Sequence, residues 1–407
     1  MREMPSGCCF LDTAAMPLPY AKEMSMIYAD HAATHPLRAS AWAAMTDALP
    51  LWGNPSSLHA GGREAHGALD KARVTLAHLL EACPSEMIFT SGGSESNTTA
   101  IRSAAAWGAS VGKCHILTTA VEHPSVLNTL AALAEEGFTV ERLPVSSDGY
   151  ITAEQVAAAI RPDTALVTVI HGNNEIGTVQ PISEIAEICR QRGVLCHGDC
   201  VQTVGRIPVS VRELGVDTLS FSGHKFGAPR GIGGLYVRSG TPFTPLIPGG
   251  HQENGRRAGT ENLLGAVGMA AALTEAVARM NAENIRLRGL ANGLVEMIAK
   301  DTGDVRVNGC PGDTASPALP HIVSLTFHGI DGEALVYRLD IEGIRVSAGS
   351  ACTAGSPDPS HVVTALGVPP EIALGTIRIS LGEGNTEAEV SRMAEAIRRL
   401  VTDLRSL

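Results

Sequence analysis

From residue 115 to residue 192 the chain repeats one theme three times: a short apolar run, then an alanine-rich run with helical spacing. The pairs are 115–118 with 125–136, 138–143 with 152–160, and 165–170 with 182–192. Parallel strands need a long crossover between them, and a crossover helix lies over the sheet face, so this alternation predicts a mainly parallel sheet covered by helices. That restricts the fold to the α/β class. After residue 265 a long alanine-rich, charged stretch to about 300 reads as a helix leading into a second lobe. Strands are expected there over 322–327 and 376–380, with a last helix over 387–404. A chain of 407 residues with 44% hydrophobic and 18% charged residues can bury two substantial cores. The sequence carries no internal repeat, low-complexity tract or linker between independent domains.

Three polar positions interrupt this framework and point to one chemistry. Lys225 follows Phe221-Ser222-Gly223-His224 and precedes the glycine-rich run 227–234. A lysine that forms a Schiff base needs a partly desolvated pocket, and Ser222, Gly223 and His224 supply groups that hold a phosphate ester. Alone, the same turn reads equally as a solvated loop. Asp199 ends the apolar run 194–199, with Gln202 just beyond. An acid at the carboxyl end of a buried parallel strand opens into the crevice where α/β sheets bind ligands, where it would pair with a pyridinium nitrogen; its bland alternative is a cap. The third position is Thr90-Ser91-Gly92-Gly93-Ser94, a small-residue turn between a short strand and a helical run, which makes an anion site. It lacks the Gly-Lys-Ser/Thr of a P-loop, and residues 235–237 after the glycine run read as strand, which excludes a dinucleotide fingerprint. Together the three positions imply pyridoxal phosphate.

Composition removes other classes. A net charge of −11 and the absence of a basic stripe argue against direct nucleic-acid binding. Nine cysteines without framework spacing indicate free thiols in a reducing compartment, by default the cytoplasm. Cys196, His197 and Cys200 do not make a metal site, because strand alternation turns neighbours to opposite faces and no second ligand pair is evident. No transmembrane span is expected. Residues 1–27 read as an N-terminal extension, either disordered or an over-long start, since patterned sequence begins only at Ile27-Tyr28-Ala29-Asp30.

In the second lobe Cys352 lies within Ser347-Ala348-Gly349-Ser350-Ala351-Cys352-Thr353-Ala354-Gly355-Ser356-Pro357. Small residues and proline disfavour helix and strand there, so an exposed, reactive thiol on a loop is expected rather than a packed one.

These residues resemble the cysteine desulfurases of the class V aminotransferase group. The resemblance covers nearly the whole chain and includes Tyr28 to Thr34, Gly53-Asn54-Pro55-Ser56-Ser57, the Gly92-Gly93 turn, Glu122-His123-Pro124-Ser125, Asn173-Asn174-Glu175-Ile176-Gly177, the lysine motif, Arg257-Ala258-Gly259-Thr260, the cysteine loop and Ile377-Arg378-Ile379-Ser380. The long cysteine loop is similar to the subgroup serving iron–sulfur cluster assembly and tRNA thiolation. It implies an aminotransferase-like fold of type I: a large domain over 36–270 with a mainly parallel seven-stranded sheet, and a smaller α+β domain formed by 28–35 and 271–407.

By the same resemblance Lys225 would hold pyridoxal phosphate, Asp199 would pair with its ring nitrogen, Gln202 would bond its hydroxyl and His123 would stack on the ring. Gly93, Ser94, Ser222 and His224 would hold the phosphate, with Thr260 reaching across from the second subunit of a homodimer. Asn174 and Arg378 would receive the carboxylate of L-cysteine. Cys352 would take the substrate sulfur as a persulfide, leaving alanine, with His123 moving protons. The sulfur would pass to an acceptor such as a cluster scaffold or a thiolating enzyme. His31, His35, Ser94, Cys200 and Asn254 depart from the usual family residues, and none removes a group that performs a chemical step. Two other classes stay open on sequence alone: a selenocysteine lyase or aminotransferase that does not use Cys352, and a non-catalytic sulfur-transfer scaffold.

Overall fold

The structure is a computed structural model and describes residues 26–309, 317–349 and 358–406. Cys352 and all but the last two residues of the expected extension over 1–27 lie outside the described residues.

The central sheet has seven strands in the order Met87–Thr90, Gly233–Val237, Thr218–Ser222, Leu195–Asp199, Thr164–Ile170, His115–Thr119, Thr139–Leu143. Only Gly233–Val237 runs against its neighbours; every other pairing is parallel. All seven residues of Thr164–Ile170 are buried, as expected of a strand covered on both faces. Thr139–Leu143 at the edge is mostly accessible. The glycine run has a packing reason. A Cβ on Gly233 would come within 2.6 Å of the Gly92 backbone, so only glycine lets this strand lie against the small-residue turn.

A second, antiparallel sheet of four strands runs Ser347–Ala348, Thr376–Ser380, Ile322–Phe327, Val305–Asn308. The chain's first described residues join it from the far end of the sequence: Ile27–Tyr28 pairs with Ile344–Arg345, Asp30 bridges Ser380, and Ile27 and Ala29 sit in the second core. Helices Gly332–Ile341 and Glu387–Arg405 complete this core.

The 40-residue helix Leu263–Thr302 links the two cores. At 1.5 Å per residue it is roughly 60 Å long. Its first half puts Ala266, Met269 and Leu273 into the large-sheet core, and its second half puts Leu287, Leu294 and Ile298 into the other. Its long apolar stretch meets the length and composition of a membrane span, yet these side chains are buried within the protein.

Candidate active site

Lys225 ends a 3₁₀ turn, Gly223–Lys225, directly after the strand Thr218–Ser222. Its Nζ donates to the carbonyls of Ala32 at 2.7 Å and Ala33 at 3.1 Å. The segment that provides these carbonyls is strapped to the lysine turn. His35 N–H donates to the His224 carbonyl at 2.9 Å, and Arg38 donates to Gly227 and Phe226 carbonyls through its backbone and Nε. Chain near the N-terminus therefore forms one wall of the lysine's surroundings.

Asp199 lies at the carboxyl end of its strand, paired in register with Ile170. Its carboxylate accepts from Asn97 Nδ2 at 2.7 Å and from Val201 N–H at 3.0 Å. Asn97 Oδ1 in turn contacts His197 Nε2 at 3.1 Å, and His197 Nδ1 contacts Thr218 Oγ1 at 2.8 Å. Burial lowers the His197 pKa to about 4, so its ring is neutral at neutral pH. Gln202 Nε2 donates to the Ala32 carbonyl that also accepts from Lys225. Cys200 is buried with its Sγ 3.6 Å from His171 Nδ1, and burial raises its thiol pKa strongly, which identifies a packed thiol rather than a reactive one.

The anion cradle is the N-terminus of the helix Gly93–Ser110. A Cβ on Gly93 would lie 2.6 Å from Val201 Cγ2, so the turn is held close to the residues after Asp199. Ser94, Ser222 and His224 face the same space. Burial, with the nearby Lys225 and Arg230 charges, lowers the His224 pKa to about 4. Glu95 in the first turn would oppose an anion, but Arg257 Nε pairs with its carboxylate at 2.9 Å. The donor set fits a phosphate: backbone amides at a helix start, two hydroxyls and an imidazole.

His123 caps the helix Pro124–Glu135, its Nδ1 accepting from Ser125 N–H at 3.0 Å. That bond requires an unprotonated Nδ1, so the neutral ring carries its proton on Nε2. Burial lowers the ring's pKa, Lys225 and His361 lower it further, and Asp199 opposes them. Arg378 is only 2% exposed. One terminal nitrogen donates to the Asn174 carbonyl at 2.9 Å and the other to Asp30 Oδ1 at 2.8 Å, which leaves further N–H groups on the fork for a ligand.

These groups enclose one cavity of about 340 Å³, whose walls include Gly93, Ser94, His123, Asn174, Asp199, Gln202, Ser222, His224, Lys225 and Arg378. Of the expected site residues, Thr260 is exposed on this chain and does not line it, and Cys352 lies outside the described residues. Sequence reasoning did not single out Asn97, Ser125 or the Ala32 and Ala33 carbonyls. Asn97 was within reach, because it follows Gly93 by four residues and so shares its helix face.

The chain is similar to known proteins along nearly its whole length. Residues 27–393 match the family model described as aminotransferase class-V. The chain is 43% identical over 382 residues to "Cysteine desulfurase IscS" of Dictyoglomus turgidum, covering 94% of this chain and 96% of that protein. A solved "NIFS-LIKE PROTEIN" superposes with a TM-score of 0.86 at 36% identity, covering 93% of this chain and 100% of the other. Another, "SspA in complex with cysteine", gives a TM-score of 0.75 at 36% identity over 87% of this chain and 98% of that one.

Proposed function

The chain belongs to the class-V aminotransferase family, and from that membership we propose that it is a pyridoxal-phosphate-dependent cysteine desulfurase, converting L-cysteine to L-alanine. One observation carries this reading: a single cavity holds a lysine, a strand-end aspartate, a helix-terminal anion cradle and a buried arginine facing one another. Pyridoxal phosphate, when bound, supplies the electron sink that labilises the substrate's Cα–H and Cβ–S bonds.

The protein's residues do the rest. Lys225 would hold the cofactor and then move the Cα proton. Asp199, oriented by Asn97 and Val201 N–H, would keep the ring nitrogen protonated, and Gln202 would bond the ring hydroxyl. Gly93, Ser94, Ser222 and His224 would hold the phosphate, and Thr260 would do so for the partner subunit of a homodimer. Arg378, steadied by Asp30, takes the substrate carboxylate with Asn174. His123, its ring set by the Ser125 N–H bond to Nδ1, would be the acid–base group that exchanges the thiol and carbon-skeleton protons. Cys352, as thiolate, attacks the substrate sulfur; the Cβ–S bond breaks, the sulfur remains on Cys352 as a persulfide, and the carbon skeleton takes up a proton and leaves as alanine. The acceptor of that sulfur belongs to iron–sulfur cluster assembly or thiolation, and the setting is cytoplasmic. Residues 36–270 form the cofactor domain, with 28–35 and 271–407 forming the domain that brings Cys352.

The test is spectroscopic and chemical. Purified protein with pyridoxal phosphate should show a visible-range band that changes on adding L-cysteine, with alanine and sulfide released one for one under a thiol reductant. Absence of the band, or alanine without sulfide, would overturn the reading.

A further inference from the structure

The two ends of the segment that carries Cys352 meet at one buried carboxylate. Gly349 precedes the segment and Ser360 follows it, and Ser360 Oγ donates to Glu175 Oε2 at 2.5 Å. A Cβ on Gly349 would lie 3.3 Å from Ser360 Cβ and 3.6 Å from the same Glu175 oxygen. The next residue makes a second attachment, His361 Nε2 contacting the Glu122 carbonyl at 2.9 Å, one residue before His123.

Glu175 is itself fixed beside the cavity-lining Asn174. Its N–H and that of Ile176 donate to Asn173 Oδ1 at 2.8 and 3.1 Å, and Asn173 Nδ2 donates to the Val121 carbonyl at 2.9 Å. Asn174, between these two, lines the cavity and gives its carbonyl to Arg378. The anchor therefore stands one residue from the group proposed to receive the substrate carboxylate.

We propose that Glu175, through Ser360, is a positioning residue that holds the base of the Cys352 segment against the substrate-carboxylate site, so that sulfur transfer depends on it while substrate binding does not. This rests on the desulfurase reading. A carboxyl this deep would be costly to bury without partners, and the hydroxyl of Ser360 is its side-chain hydrogen-bond partner among the described residues. Ser360 also caps the short helix His361–Ala365 through Val363 N–H at 3.2 Å, so a test must separate capping from anchoring.

Ser360→Gly makes that separation, because glycine serves nearly as well as serine at a helix N-cap but has no hydroxyl for Glu175. Ser360→Thr restores both. In the loaded enzyme, three quantities are compared with wild type: KM for L-cysteine from the spectral change, the single-turnover rate of persulfide formation on Cys352, and the rate of Cys352 alkylation by iodoacetamide without substrate. The expected result for Ser360→Gly is a persulfide rate lowered roughly 3- to 10-fold, in line with loss of one buried hydrogen bond. KM should stay within about two-fold, alkylation should change several-fold, and Ser360→Thr should recover both. Persulfide and alkylation rates both unchanged in Ser360→Gly, or a loss confined to KM, would overturn the proposal. If wild type itself produces no alanine, the desulfurase reading has failed, and the alkylation comparison still decides whether Glu175 anchors the segment.

Discussion

Asn97 and Asp199, separated by about a hundred residues in sequence, are joined by a 2.7 Å hydrogen bond that fixes the strand-end carboxylate from the second turn of the neighbouring helix. The bond continues through His197 to Thr218, so the aspartate's orientation is set by three different elements. Asn97→Ala removes one buried donor to a charged group, a loss of about 1.5–3 kcal/mol. Cofactor affinity should fall roughly 10-fold or more, as read from loss of the visible band on dialysis. Unchanged retention would mean that Val201 N–H alone orients Asp199.

Glu122 gives a pH signature of its own. Its Oε1 accepts from Thr119 Oγ1 at 2.7 Å and Ile170 N–H at 3.0 Å, and burial pushes its pKa to about 8. An acid whose pKa is raised on folding binds its proton more tightly in the folded state, so its contribution is full below about 4.5, the ordinary carboxyl value, and is lost as pH rises towards about 8. Glu122→Gln mimics the protonated form at every pH. The stability of wild type relative to the variant should therefore fall across that window by on the order of 5 kcal/mol and level off above it. Denaturant unfolding at a series of pH values measures this, and a pH-independent difference would contradict it.

Arg378 is suited to its place by planar geometry. It reaches Asn174 and Asp30 with separate nitrogens while nearly fully buried, which lysine cannot do. Arg378→Lys is expected to raise KM for L-cysteine about 10-fold or more and to leave the cofactor band in place. Steady-state kinetics with the spectrum of the same preparation checks both.

Cys200 stands one residue from Asp199 and has no chemical part in this account. Its burial, and a thiol pKa held far above the ordinary range, predict slow alkylation in the folded protein. Cys200→Ala should keep alanine production within about two-fold of wild type, since a small buried thiol packs much as a methyl group does. A large loss would assign Cys200 a role near the ring.

The legible parts of the sequence were those where burial leaves a continuous apolar run. Thr164–Ile170 and Ile322–Phe327 are buried throughout and were readable as strands to within a residue. The two-residue strands Ile344–Arg345 and Ser347–Ala348 are too short to carry a period, and Val305–Asn308 alternates with polar residues, so none was expected. The helices Ala39–Ala48 and Ala60–Leu79 were also not read, and three glycines in the second dilute its helical signal. Asp199 was legible because it ends an apolar strand, and Lys225 because it follows Ser222-Gly223-His224 and precedes a glycine-rich run. Glu122 and Glu175 were quoted only as parts of motifs, because nothing in a sequence separates a carboxyl buried by tertiary packing from a solvated one. The Ala32 and Ala33 carbonyls beside Lys225 are backbone groups, and no side-chain pattern announces them.

The most direct measurement of the central claim is mass spectrometry of the cofactor-loaded protein after brief exposure to L-cysteine without reductant, comparing wild type with Cys352→Ala and quantifying alanine. The account predicts a one-sulfur adduct mapped to Cys352, with alanine formed by wild type and not by the variant. Alanine at equal rates in both proteins, or alanine without the adduct, would contradict it and leave a lyase that does not use Cys352.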